Sequence, residues 1–150
     1  MGFKDLKYLA LHFFGTEMNL MDITINNDKY IFSSERLGFR NWDNKDIAPT
    51  SVINADKQVM TFFPSLKSKS ETAIFIQKMQ RQFAEKGYCY YAVDCLSTGV
   101  FIGFIGISDA TFISDITPCA DIGWRLDKNY WNHGFATEGT LACMHLHHWD

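Results

Sequence analysis

The segment Asn132-His133-Gly134-Phe135-Ala136 is compact, carries a glycine and runs straight into a stretch that reads as helix from Gly134 to about His148. The first N–H groups of a helix have no intrahelical acceptor, and the helix dipole adds partial positive charge at the same end. A glycine-containing approach to such an end can bind an anion, and a pyrophosphate is its natural occupant. An ordinary strand-to-helix connection has the same local features, since such connections are common. The strand expected upstream is Ala120–Leu126, and the turn Asp127-Lys128-Asn129 joins it to the loop.

Three other groups of residues invite chemistry but lack the context for it. Gly99, Gly103 and Gly106 imitate a nucleotide loop, yet no helix begins after them. Glycine inside a strand instead marks a bulge or a close approach to the backbone. His145 and His148 are three residues apart on one helix face and could share a metal ion. Only the terminal Asp150 stands nearby to help. Histidines, His147 included, also suit the negative pole of a helix end, so no metal site is assigned. Cys89, Cys95, Cys119 and Cys143 form no C-x-x-C pair and no zinc spacing. They read as free thiols of a reducing, cytoplasmic compartment, with a Cys89–Cys95 disulfide beside a strand as the alternative.

The elements that must position these residues are legible around them. Strand is expected at 30–32 and 37–39, and helix at 46–54, with Pro49 in its first turn where a missing N–H does no harm. The helical pattern continues over 56–63 and stops at Pro64. Ser68 and Glu71 form an S-x-x-E capping box, followed by Ile76, Met79 and Phe83 at helical spacing and by Gly87 as a left-handed C-terminal cap. That predicts a helix over Lys69–Lys86. Residues 88–94 and 100–107, separated by Ser97-Thr98-Gly99, predict an antiparallel hairpin. A loop fills 109–118. Residues 1–20 differ in character: Leu6, Leu9, Phe13 and Phe14 could line one face of a short helix ended by Gly15. They are taken as an N-terminal extension, with the domain in 21–150.

Composition narrows the classes. A length of 150 residues with 47% apolar residues suits one domain with its own core and argues against disorder. A net charge of −3 without a basic block leaves no footprint for nucleic acid. No apolar run is long enough to span a bilayer. Leu6 stands where a myristoylation motif needs Ser or Thr, and no cleavage site follows residues 8–14, so neither a lipid anchor nor a signal peptide is expected.

The run Asp121-Ile122-Gly123-Trp124-Arg125-Leu126-Asp127, followed by Tyr130-Trp131-Asn132-His133-Gly134-Phe135-Ala136-Thr137-Glu138, resembles the acetyl-coenzyme A motif of the GNAT superfamily of N-acetyltransferases. Trp131 at the start of the loop resembles the branch that acetylates serine or alanine N-termini of ribosomal proteins. Residues 34–40, Val59-Met60 with Phe63-Pro64, and 99–107 resemble that branch's opening strand, first helical region and third strand, in order. The resemblance implies an α+β fold with a mostly antiparallel central sheet and flanking helices. It implies acetyl-CoA as co-substrate, with the backbone of Asn132, His133, Gly134, Phe135 and Ala136 and the adjoining Thr137 at the pyrophosphate. Ile122, Gly123, Trp124, Arg125 and Leu126 would run beside the pantetheine arm. Asp121 occupies the position of a glutamate proposed as general base in the family, one methylene shorter. The implied reaction is direct attack of a neutral amine, so no cysteine nucleophile is required.

Family members continue past this helix with further strands and a helix, so the chain is expected to represent the N-terminal portion of the domain. An exposed sheet edge, with Leu141, Leu146 and Trp149 uncovered, would then favour self-association into a homo-oligomer. Three functions follow. The first is an N-acetyltransferase acting on a protein N-terminus or a small amine. The second is a catalytically incomplete binding or self-associating module. The third is a protein that docks to a membrane or a partner through residues 1–20.

Overall fold

The structure is a computed structural model that describes residues 24–25, 29–109 and 120–147. The extension 1–20, Cys119, His148, Trp149 and most of the 109–118 loop lie outside them. Six strands form one antiparallel sheet in chain order: β1 (Thr24–Ile25), β2 (Phe32–Ser33), β3 (Leu37–Arg40), β4 (Tyr90–Cys95), β5 (Val100–Asp109) and β6 (Ala120–Leu126). Two helices, α1 (Ile47–Ala55) and α2 (Lys69–Lys86), interrupt the strands, and α3 (Phe135–Leu146) follows β6. This is the expected α+β architecture.

Alternation along β5 puts the helices on opposite faces. Phe104 meets Phe75 of α2 at 5.2 Å, ring centre to ring centre, whereas its neighbour Ile105 lies under Gly139 of α3. Strand residues alternate by face, so β5 is covered on both sides and reads as a nearly continuous apolar run. A bulge modifies the alternation: Val93 opposes Gly103 and Asp94 opposes Phe101, which leaves Ile102 extra. The extra residue brings Phe101 and Phe104 to one face, where both rings contact Trp42, at 6.0 and 6.3 Å. The core of the other face centres on Phe32 stacked on Phe39 at 4.2 Å, with Tyr91 edge-on to both.

Local chemistry sets the helix boundaries. Ser68 and Glu71 exchange both capping hydrogen bonds, and Gly87 closes α2 at φ 77°. At α1 the helical pattern ends sooner than the sequence predicts. Asp56 is extended at φ −78°, ψ 118°, and its carboxylate accepts from the N–H groups of Gln58 and Val59. An aspartate that bonds its own downstream backbone starts a turn in place of another helical turn, so 57–62 forms successive turns. Pro49 sits in the first turn of α1 as expected.

A buried polar cluster orients α1. Arg40 donates to both carboxylate oxygens of Asp46 at 2.8 Å and to Asp94 at 3.0 and 3.1 Å. Tyr30 donates to Asp94 at 3.0 Å. Asp46 also accepts from the N–H of Asp43 in a capping box, so the entry to α1 is bonded to β3 and β4. Its far end, Asn54, thereby stands over the β5–β6 face. Asn54 is buried there, donating to Thr72 of α2 and accepting from the Lys67 N–H.

Two sequence expectations need correction. Leu141 is not uncovered: it is 4% exposed and buried. Leu146 is half-buried against the same core. The Cys89–Cys95 alternative also fails, since Cys89, Cys95 and Cys143 are free thiols.

Candidate active site

β6 directs its odd-numbered side chains to the face of α1 and α2, since Asp121 opposes Ser108, Gly123 opposes Gly106 and Arg125 opposes Phe104. That face opens into a cleft of about 1110 Å³. Tyr90 and Phe104 of the sheet and Phe75 of α2 line its inner side, Phe62, Phe63 and Ile74 its outer side, and Trp124 and Trp131 its rim. Phe62 and Ile74 are 96% and 65% exposed, so the outer wall presents apolar surface to solvent. Among the described residues no group of histidine, cysteine and carboxylate ligands is arranged to hold a metal ion.

Asp121 borders this cleft near the start of β6. It is exposed, and the Tyr90 hydroxyl donates to it at 3.3 Å. Burial, followed by the charge of Asp121, pushes the Tyr90 phenol well above its ordinary range, so Tyr90 remains a neutral donor. Gly123 lies under the Tyr90 ring; a Cβ there would stand 3.0 Å from it. Ile122 and Trp124 stand opposite Ile107 and Ile105 in the register, and Leu126 is buried. Arg125 donates to Asn54 at 2.8 Å and lies over the rings of Phe63 and Phe104, at 4.1 and 5.3 Å. The sequence reading assigned Arg125 only a backbone position, and the structure gives its side chain a place in the cleft. Among the described residues β6 pairs on one side only, with β5.

The backbone of the loop after β6 fits the anion role expected of it. Asp127 caps a single 3-10 turn, Lys128–Tyr130, and the Trp131 indole donates to the Leu126 carbonyl at 3.0 Å, which ties the loop back to the strand. Asn132 and Gly134 both have positive φ, 63° and 79°, and Gly134 is the N-cap of α3. Two left-handed residues so close together turn successive N–H groups to one side, a concavity that holds anions. The N–H groups of Phe135, Ala136 and Thr137 in the first helical turn add to it. Asn132, His133 and Gly134 are exposed, Ala136 and Thr137 half-buried, and Phe135 buried. A Cβ on Gly134 would meet only Arg36, at 3.5 Å, so the approach is open. These features fit a bound pyrophosphate.

A clamp that sequence reasoning missed holds the loop from behind. Glu138, one turn into α3, accepts from the Ser34 hydroxyl at 2.5 Å and from the Arg36 N–H and Nε at 3.0 and 2.7 Å. Arg36 Nη1 donates onward to the His133 carbonyl at 2.8 Å, and its guanidinium lies 4.3 Å over the Phe135 ring. Glu138 and Arg36 are 102 residues apart, so no local pattern could pair them. The thiols play no visible part. Burial pushes those of Cys89 and Cys143 up, away from the reactive thiolate.

The fold is thus a mixed sheet-and-helix one, with a glycine-containing loop after β6 beside an apolar cleft. The model of the acetyltransferase (GNAT) domain matches residues 36–149, and the chain belongs to that family. It is 28% identical over 121 residues to the uncharacterized protein YkkB of Bacillus subtilis, a match covering 79% of this chain and 68% of that protein. An acetyltransferase from Agrobacterium tumefaciens superposes with a TM-score of 0.65 at 21% identity, covering 85% of this chain and 69% of the other. A RimL ribosomal alpha-N-protein acetyltransferase in complex with coenzyme A superposes with a TM-score of 0.58 at 20% identity, covering 76% and 64%. The chain thus spans about two thirds of the length of these relatives.

Proposed function

We propose that this chain is an N-acetyltransferase that uses acetyl-CoA to acetylate a primary amine entering the cleft beneath α1 and α2. The observation that carries the reading is the pair of left-handed residues, Asn132 and Gly134, at the start of α3, on a loop whose first residue, Trp131, lines the same cleft as Asp121. Acetyl-CoA would supply an activated thioester. The amides of 132–137 bind its pyrophosphate, and the edge of β6 that is unpaired among the described residues offers backbone groups to the pantetheine arm. Asp121, held by the Tyr90 hydroxyl, takes the proton from the attacking amine directly or through one water. The ribosomal-protein N-terminus branch is the finer reading, supported by Trp131 in the loop and by the likeness of fold to the RimL enzyme.

A thiol-release assay with acetyl-CoA and a panel of peptide N-termini and small amines tests the proposal. Amine-dependent release that Asp121→Asn lowers by about 100-fold is the expected result, the scale of a lost general base. Coenzyme binding without turnover on any amine would favour the binding-module reading instead.

A further inference from the structure

Arg125 has features that acetyl transfer as such does not require. Its guanidinium lies over the Phe63 and Phe104 rings, Nη1 donates to a neutral amide at Asn54, and Nε is buried with no hydrogen-bond partner among the described residues. Among the described residues no carboxylate pairs with it. Arg36 and Arg40, by contrast, rest on Glu138 and on Asp46 with Asp94. Burial pushes the Arg125 pKa down, yet an arginine stays cationic in a protein. A desolvated cation without a counter-ion is unfavourable, and two aromatic faces offset only part of that. Its placement in the open cleft leaves a ligand as the source of the counter-ion.

We infer that Arg125 is an anion subsite of the acceptor cleft, so that the acceptor is a primary amine whose own molecule carries a carboxylate. This deepens the acetyltransferase reading and rests on it for the amine. Asp121 and Arg125 share one face of β6 at a separation of four residues, or about 13 Å between Cα atoms. The amine and the carboxylate therefore stand farther apart than in an α-amino acid. The spacer between them runs past Tyr90 and Phe104, which suits an apolar or extended chain. A guanidinium holds a carboxylate through paired N–H donors, which an ammonium cannot reproduce.

Equilibrium binding to the full chain, with coenzyme A present, tests this by calorimetry. One arm compares ω-aminooctanoate with octylamine. The other compares an N-terminally free tripeptide ending in glutamate with the same peptide lacking both carboxylates as amides. In at least one arm the carboxylate ligand binds about tenfold or more tightly than its neutral match. A preference in the first arm alone assigns a small amino acid, and in the second alone a peptide N-terminus. Arg125→Gln brings the ratio near one, while Arg125→Lys retains part of it. Loss of packing alone would weaken both members of a pair alike and leave the ratio unchanged. Equal affinities in both arms, or a ratio that survives Arg125→Gln in a folded variant, would overturn the inference. If Arg125→Gln does not fold, the wild-type ratio and the Lys variant decide it. Because binding is the readout, a failure of acetyl transfer shows separately, in the thiol-release assay.

Discussion

At the scale of single residues, Gly134 and Glu138, four positions apart, shape the loop before α3. Gly134 adopts φ 79°, which a β-branched residue reaches only at a cost of about 1–2 kcal/mol. A Cβ there would meet only the Arg36 guanidinium, at an ordinary contact distance of 3.5 Å, so conformation and not crowding is what a substitution disturbs. Gly134→Val is expected to weaken coenzyme A binding by about tenfold or more, measured by calorimetry on a folded variant. Unchanged affinity would remove the loop from the site. Glu138 acts through the clamp. Glu138→Ala leaves the Ser34 hydroxyl and two Arg36 donors without their acceptor, and hydrogen bonds to a charged group are worth about 1.5–3 kcal/mol. Urea unfolding should show a loss of about that size, together with weaker coenzyme binding, because the His133 carbonyl loses its anchored donor. A full loss of stability with unaltered coenzyme affinity would confine Glu138 to the fold.

At the scale of elements, β4, β5 and β6 approach one another with no room for side chains at two points. Gly103 has φ 138°, and a Cβ there would collide with the Arg125 carbonyl on β6; on Gly106 it would collide with the Cys89 carbonyl beside β4. Both obstacles are backbone, which cannot rotate away. Gly103→Ala is expected to destabilise by more than about 3 kcal/mol and to disturb the cleft, since the affected carbonyl belongs to Arg125. A cooperative urea transition displaced by less than about 1 kcal/mol would show that β5 and β6 can separate more freely than their register implies. The sequence reading took these glycines as marks of a bulge or a close approach, and both occur: the bulge at 102 and two near-contacts of backbone on backbone.

At the scale of the whole molecule, acid stability depends on the cluster that joins α1 to the sheet. Burial pushes the Asp94 carboxyl up, but hydrogen bonds and charge from Arg40, with Lys29 and Tyr30, hold it below the usual carboxylate range. A folded-state pKa below the unfolded value gives stability that is fully present above about pH 4. That contribution is lost as the pH falls through the folded pKa. The melting temperature should therefore drop below about pH 4. Asp94→Asn should cost about 2 kcal/mol at neutral pH and flatten that acid limb. An unchanged acid limb would place the acid sensitivity elsewhere. The one-sided pairing of β6 has a molecular consequence too. Among the described residues one edge of β6 is unpaired, and such an edge is a template for a second chain, so light scattering is expected to show concentration-dependent association. A monodisperse monomer at all concentrations would show that the edge is protected.

The sequence by itself determined what is local. Ser68, Glu71 and Gly87 settle both ends of α2 because a capping box and a left-handed cap are completed within a few residues. The hairpin of β4 and β5 and the Asn132–Gly134 loop were legible for the same reason: their hydrogen bonds and dihedrals are decided by neighbours in the chain. Asp56 marks the limit of such reading, since a side chain bonding its own backbone competed with a helical pattern and prevailed. Tertiary structure alone decided what depends on partners distant in sequence. Glu138 meets Ser34 and Arg36 across more than a hundred residues, and Arg125 meets Asn54 across 71. Such pairs leave no periodicity or spacing to read, because sheet order and helix placement bring them together. The charge state of Asp94, the burial of Leu141 and the place of Arg125 in the cleft are consequences of packing, and packing exists only once the chain has closed on itself.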